Sequence, residues 1–255
     1  MSAGAPPPSP SVAQTLWAQR VPVYVTHRAR RTDDAAPFVA SVPRFGYLAL
    51  LLPRLRAFFG AACSTFHHEL VPLRALPVGL LLDLYRPALP WRLEVAAADD
   101  DADGPAPDVA DVFMNAAKEA DFVRNGHAKQ IMGLSKAKTT ALWHAVRDGD
   151  GAAFARLHAG LLDAPAPLKK VPLRLYVPHA AAGAYRVVQA PVAAAPPQKT
   201  LGQALAALLP GLFPAAGAHV LMHGAPVPLA APLEELMREA AFPDGWLCLT
   251  VVLVT

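Results

Sequence analysis

Cysteine is nearly missing from this chain: Cys63 and Cys248 are its only two, far apart and each in apolar surroundings. That excludes a disulfide-stapled secreted domain and predicts reduced, buried thiols in a soluble cytoplasmic protein. Neither Cys-x-x-Cys nor His-Glu-x-x-His occurs, so no zinc site is expected. A glycine-rich phosphate loop ending in Lys-Ser/Thr and a Gly-x-Ser-x-Gly elbow are also missing, which removes P-loop nucleotide chemistry and the α/β-hydrolase reading. Charged residues make up only 17% of the chain and the formal net charge is +3, too small and too spread to argue for nucleic acid. The 54% hydrophobic content is inflated by alanine, and no apolar run approaches the length of about 20 residues that a membrane helix needs. The first residues lack a charged n-region and an apolar h-region, so 1–9 are expected to be a disordered tail and not a signal peptide. Nothing in the pattern calls for a cofactor or a metal.

What is present is organised around a helical middle, 108–164. In its first segment Val109, Val112, Phe113, Ala116, Ala120 and Val123 recur at steps of three and four, the mark of one buried helix face. At about 100° per residue Lys118 falls nearly opposite that stripe, its amine directed at water. Most lysines so placed are plain solvated charges. Here Met114 and Phe122, four residues either side, put apolar groups on the same flank, which suggests that another domain or a partner covers this face. Glu119 and Asp121 lie close enough in sequence to favour the charged amine. Two further helical segments, 128–147 and 151–162, are punctuated by Gly126 and by Asp148-Gly-Asp-Gly151.

The flanking blocks repeat one element order. In the first, a short helix (12–19, capped by Ser11) leads to strands at 21–27 and 38–42, a helix at 47–62 and a strand at 66–73. A short helix at 78–84 and a strand at 90–95 close it. The second runs strands 171–179 and 185–190, helix 200–210, strand 219–223, short helix 232–241 and strand 246–253. Val171-Pro-Leu-Arg-Leu-Tyr-Val-Pro-His179 echoes Val21-Pro-Val-Tyr-Val-Thr-His27, and both blocks end on a Pro/Trp-led strand. Hairpin, helix, strand, short helix, strand is the order of a ubiquitin-like β-grasp. The expected fold is α+β: two ubiquitin-like domains (20–98 and 168–255) flanking a helix-rich module (108–164), with the N-terminal helix at 10–19 and an acidic linker at 99–107. The linker opens like a calcium loop, with Asp99, Asp101, Asp103 and Gly104, but its twelfth position is Ala110 and two prolines interrupt it, so calcium is not expected.

Enzymatic constellations are few. Cys63, with His67 and His68 close in sequence, would serve a Cys–His transferase, although no third group orients the pair. Cys248 lies mid-strand and reads as a small buried hydrophobe. His27, His179 and His223 sit at strand ends and are expected to be satisfied surface or rim histidines. Arg28, Arg30 and Arg31 form a basic hairpin loop of the kind that contacts lipid headgroups or acidic partners, or simply stays solvated.

Several motifs together resemble the autophagy protein 5 family. They are Lys118-Glu-Ala-Asp121, Val-Pro-Arg-Phe-Gly-Tyr-Leu over 42–48, Pro77-Val-Gly-Leu-Leu, Leu89-Pro-Trp-Arg-Leu, Thr200-Leu-Gly, His223-Gly and Pro232-Leu-Glu-Glu-Leu, with Phe242 replacing tyrosine before Pro243-Asp. The similarity runs from about residue 16 to the C-terminus. It departs from the family in the arginine-rich loop, the acidic linker and the alanine enrichment. The resemblance implies a non-catalytic scaffold joined covalently through one lysine to the ubiquitin-like modifier autophagy protein 12. It also implies a bound helix of autophagy protein 16 and an E3-like complex, peripheral at the phagophore membrane, that promotes transfer of autophagy protein 8 from its E2 to phosphatidylethanolamine. On this basis Lys118 is the implied isopeptide acceptor, and Leu16, Trp17 and Arg20 belong to the stretch that grips autophagy protein 16. An unconjugated ubiquitin-like interaction module and a Cys–His transferase remain the alternatives.

Overall fold

The computed structural model describes residues 10–30, 36–97, 108–162, 168–179, 184–194, 199–213 and 217–254. The expected tail (1–9), the acidic linker (99–107) and Arg31 of the basic loop lie outside them.

The first block begins with α1 (Val12–Ala18), whose N-terminus is closed by a capping box: Ser11 Oγ accepts the Gln14 N–H, and the Gln14 side chain accepts the Ser11 N–H. Its sheet has the order β2-β1-β5-β3-β4, built from β1 (Arg20–His27), β2 (Phe38–Pro43), β3 (Thr65–His68), β4 (Val71–Pro72) and β5 (Trp91–Ala96). The first and last strands are parallel neighbours, Val23 opposite Trp91 and Val25 opposite Leu93, and the other pairings are antiparallel. Alternation in β1 aims Val21, Val23 and Val25 at α2 (Leu52–Phe59), which returns Leu52, Leu55 and Phe59. Each such burial contributes roughly 1.5–3 kcal/mol. The short helix α3 (Val78–Tyr85) completes the block.

Two local expectations are revised. The helix over 47–62 is a 3₁₀ turn (Leu48–Leu51) followed by α2, because Pro53, with no N–H, fits only the first turn of the α segment, and Gly60 (φ +57°) ends it. The strand over 66–73 is a hairpin, β3 and β4, around Glu69 and Leu70, both at positive φ (47° and 71°). Neither residue is a usual choice there, so the turn left no mark in the sequence.

Among the described residues the helical module has four helices where three are expected: α4 (Val109–Asn125), α5 (Lys129–Met132), α6 (Lys136–Asp148) and α7 (Gly151–Leu162). The segment over 128–147 breaks because Ser135 turns its hydroxyl onto the Lys138 N–H (3.3 Å) and starts a new helix. The buried arc of α4 is also wider than the apolar stripe. It takes in Val109, Phe113 and Ala120 as expected, then Ala117, Asp121 and Arg124, while Val112, Ala116 and Val123 are half-buried. Two surfaces explain this: Phe113 and Ala117 pack on Leu142 and Val146 of α6, and Ala116, Ala120 and Val123 pack on the second sheet.

That sheet has the order β7-β6-β10-β8-β9, from β6 (Lys170–Pro178), β7 (Tyr185–Ala193), β8 (Ala218–Met222), β9 (Ala225–Pro226) and β10 (Leu247–Leu253). Again the first and last strands are parallel, Leu173 opposite Leu247. Helix α8 (Leu201–Leu208) carries a second capping box, Thr200 with Gln203, and α9 (Leu233–Ala240) precedes β10. The architecture is α+β, with two ubiquitin-like folds flanking a helical bundle.

Candidate functional site

Lys118 stands exposed in the middle of α4. Its amine lies 3.5 Å from Asn115 Oδ1, one turn back. The two neighbouring acids are engaged elsewhere, contrary to expectation. Glu119 accepts from Arg174 of β6 at 3.1 Å, and buried Asp121 accepts the Ile131 N–H (3.1 Å) and Asn125 Nδ2 (2.7 Å). The flank of the lysine is apolar as expected: Phe122 is 59% exposed and Met114 half-buried. No lysine precedes Lys118 in the chain, and Lys129, Lys136, Lys138, Lys169 and Lys170 are exposed as well. Exposure therefore does not distinguish Lys118; it differs from the others in lying near the centre of a 17-residue helix packed on two sides.

The stretch with Leu16, Trp17 and Arg20 lies where all three parts of the molecule meet. Leu16 is buried (6% exposed) among residues of the second ubiquitin-like fold, where it holds α1 in place. Trp17 is half-buried, its ring 5.0 Å from Phe45 and 4.9 Å from Phe154. It lies so close to α7 that a Cβ on Gly151 would fall 2.6 Å from its Cγ. Arg20 is exposed and donates to Ser41 O at 2.7 Å across the β1–β2 pair. Beside Trp17 opens a groove of about 200 Å³, walled by Phe45, Phe154, Met237 and Phe242. His158 on its wall stacks on Phe154 at 4.8 Å, and burial, then the Arg124 charge, pushes its pKa down to about 4.

Between the two ubiquitin-like folds lies a polar cluster. Asp83 of α3 accepts the His223 N–H at 2.7 Å and faces Arg44 Nη2 at 3.4 Å; both side chains are buried. His223 Nε2 meets the Ala240 carbonyl at 2.8 Å and so must donate, leaving Nδ1 to accept from Arg44 Nε at 3.4 Å. Burial raises Asp83 to about 6 against the pull of Arg44, and lowers His223 to about 4. The surface or rim position expected for His27 is thus wrong, whereas His223 is half-buried and satisfied. His27 is buried, with Nε2 on Ala62 O at 3.0 Å, and only His179 is exposed. Sequence reasoning missed Arg44, Asp83 and Arg174; a lone acid inside the apolar turn over 78–85 is the signal for Asp83.

The Cys–His reading is overturned. Cys63 is fully buried, its thiol directed at Ala61 O (3.5 Å), and burial raises its pKa, the reverse of nucleophile activation. His68 is spent on Trp91, whose Nε1 donates to its Nδ1 at 3.2 Å.

Three family models match the chain in order. Residues 16–97 match "Autophagy protein ATG5, UblA domain", 107–164 the "alpha-helical bundle region" and 170–251 the "UblB domain". A Chaetomium globosum protein named autophagy protein 5 is 54% identical, over 97% of this chain and 93% of its own length. Autophagy-related protein 5 of Gibberella zeae is 52% identical, over 96% of this chain and 100% of its own. The crystal structure of Kluyveromyces marxianus Atg5 superposes with a TM-score of 0.80 over 94% of this chain and 99% of that one, at 20% identity, a likeness of fold.

Proposed function

The chain belongs to the autophagy protein 5 family, and from that premise we propose that it is a non-catalytic scaffold whose Lys118 is the isopeptide acceptor for the ubiquitin-like modifier autophagy protein 12. A helix of autophagy protein 16 seats near α1, and the assembly, peripheral at the phagophore membrane, promotes transfer of autophagy protein 8 from its E2 to phosphatidylethanolamine. The observation that carries the reading is the acceptor face: an exposed amine at mid-helix, on a helix packed from two sides, beside the exposed Phe122. An acceptor has to meet a thioester held on another protein, so it needs exposure and a rigid base. The neutral amine attacks the thioester carbonyl carbon. The N–C bond forms, the C–S bond breaks, and the amine proton leaves with the departing thiolate of the donor enzyme. Trp17 and the groove of about 200 Å³ give an amphipathic helix an apolar seat close to all three parts of the molecule. Among the described residues no helix is long and apolar enough to cross a membrane.

Reconstituted conjugation with the modifier and its activating and donor enzymes tests the reading on a denaturing gel. Lys118→Arg keeps charge and helix propensity and is expected to lose the shifted band. Lys129→Arg, Lys136→Arg and Lys138→Arg are expected to keep it. A persisting band in Lys118→Arg refutes the assignment; no band with any variant or with the parent chain favours an unconjugated interaction module.

A further inference from the structure

Lys118 gains almost nothing from its own side-chain contacts, so its place in space is the place of the α4 backbone beneath it. Three hydrogen bonds between α4 and the second ubiquitin-like fold bracket the lysine, one on the α4 backbone itself and two through its Glu119 and Arg124 side chains. Trp246 Nε1 donates to the Ala116 carbonyl at 3.0 Å, Arg174 Nη2 to Glu119 Oε2 at 3.1 Å, and Arg124 Nη2 to the Gly245 carbonyl at 3.2 Å. The first two form one unit, since the Arg174 guanidinium lies 4.0 Å over the Trp246 ring. Trp246 is 1% exposed and the Arg174 side chain 11%. With its amide oxygen turned towards Arg174, Gln189 of β7 accepts from Nη2 and Nε at 2.8 and 2.9 Å, bracing the guanidinium from the sheet side. Apolar packing of Phe113 and Ala117 on α6 holds α4 to the bundle but is tolerant of a small roll about the helix axis. The directional bond at Ala116 is not, and the Arg174–Glu119 pair, with its carboxylate 59% exposed, adds a weaker restraint. A lysine amine at the end of a long side chain magnifies any such roll.

We propose that Trp246, Arg174 and Glu119 are positioning residues for acyl transfer to Lys118: the second ubiquitin-like fold, through this clamp, sets the roll of α4 and so the approach of the amine to the thioester carbonyl. This rests on Lys118 being the acceptor. The clamp takes no part in bond making. The same N–C bond forms and the same thiolate leaves, but the fraction of encounters in which the lone pair is aligned depends on it.

The test is single-turnover transfer from a preformed thioester-charged donor enzyme to the full chain, at a series of donor concentrations. Trp246→Phe removes the N–H donor while keeping an aromatic ring, and Arg174→Lys removes the planar stack while keeping the charge. Each is expected to lower the rate at saturating donor by about 10- to 100-fold, the size of a misplacement of about 1 Å, with the half-saturating concentration unchanged. Glu119→Gln, which leaves the Arg174–Trp246 stack intact, is expected to lose less. Parent rates in folded variants would overturn the proposal, as would an effect confined to the half-saturating concentration, which would mean a lost docking contact. If Trp246→Phe does not fold, Arg174→Lys carries the test. Lys118→Arg run in parallel separates the two levels: a conjugate there sinks the acceptor assignment itself, whereas its loss together with parent rates in the clamp variants sinks only the clamp.

Discussion

Neutralising Asp83 tests whether the buried charge pair between the ubiquitin-like folds is a coupled unit. Asp83 is 2% exposed and Arg44 7%, so neither can be rescued by water if its partner is removed. The rise of the Asp83 pKa from 3.8 to about 6 means that holding it ionised at pH 7 already costs about 3 kcal/mol. Asp83→Asn keeps an oxygen for the His223 N–H but strands the Arg44 charge. Arg44→Met keeps the stem and strands the carboxylate. Breaking a buried pair from one side costs about 3–5 kcal/mol, whereas removing both charges is often neutral. Each single variant is therefore expected to unfold at markedly lower urea at pH 7, and the double variant to lie within about 1 kcal/mol of the parent. The sign with pH is also fixed. Without Arg44 the carboxyl is protonated in the folded chain at still higher pH, so the Arg44→Met deficit should shrink as pH falls from 7 towards 5. Additive single effects, or a pH-independent Arg44→Met deficit, would refute the coupling.

His158 offers a second pH test. Its pKa of about 4 in the fold, against the ordinary 6.5, means the unfolded chain takes up the proton first, so its contribution to stability falls as pH drops from 6.5 to 4. His223, also lowered to about 4, acts in the same sense, while Asp83 and Asp244, both near 6, act in the opposite sense over roughly pH 6 to 4, so the four nearly cancel and the parent profile should be shallow there. His158→Phe keeps a ring for Phe154 and is expected to gain stability relative to the parent as pH falls, measured by urea unfolding at pH 4, 5, 6 and 7; a constant gap would contradict this. Trp17→Ala should weaken the autophagy protein 16 helix by about 2 kcal/mol or more in a calorimetric titration, and Arg20→Ala by much less; equal affinity for Trp17→Ala and the parent would remove Trp17 from the interface.

Much of the fold could be read from the chain because its signals are local and periodic. The twin β-rich openings at 21–27 and 171–179, the Pro/Trp-led last strands and the step pattern of α4 depend on side chains that alternate or repeat along one element. Lys118 belonged to that class, since its exposure follows from the helix angle alone. Failures came where a backbone state lacked its usual residue, as in the Glu69–Leu70 turn, or where a side chain chose between two bonds. Ser135 capped a new helix, and Asp121 turned inward to Ile131 instead of lying beside Lys118. Leu16 looked like a partner contact because an apolar residue on a short helix has to be covered by something, and the sequence does not say whether that is another chain or its own. Tertiary structure buries Leu16 against the chain's own second fold, and only tertiary structure brought Arg44 to His223 across 179 positions and Trp246 to Ala116 across 130. Such pairs join elements whose separate patterns are complete without them. Their partners are fixed by how two sheets and a bundle pack, a matter of three-dimensional shape that no periodicity along the chain records.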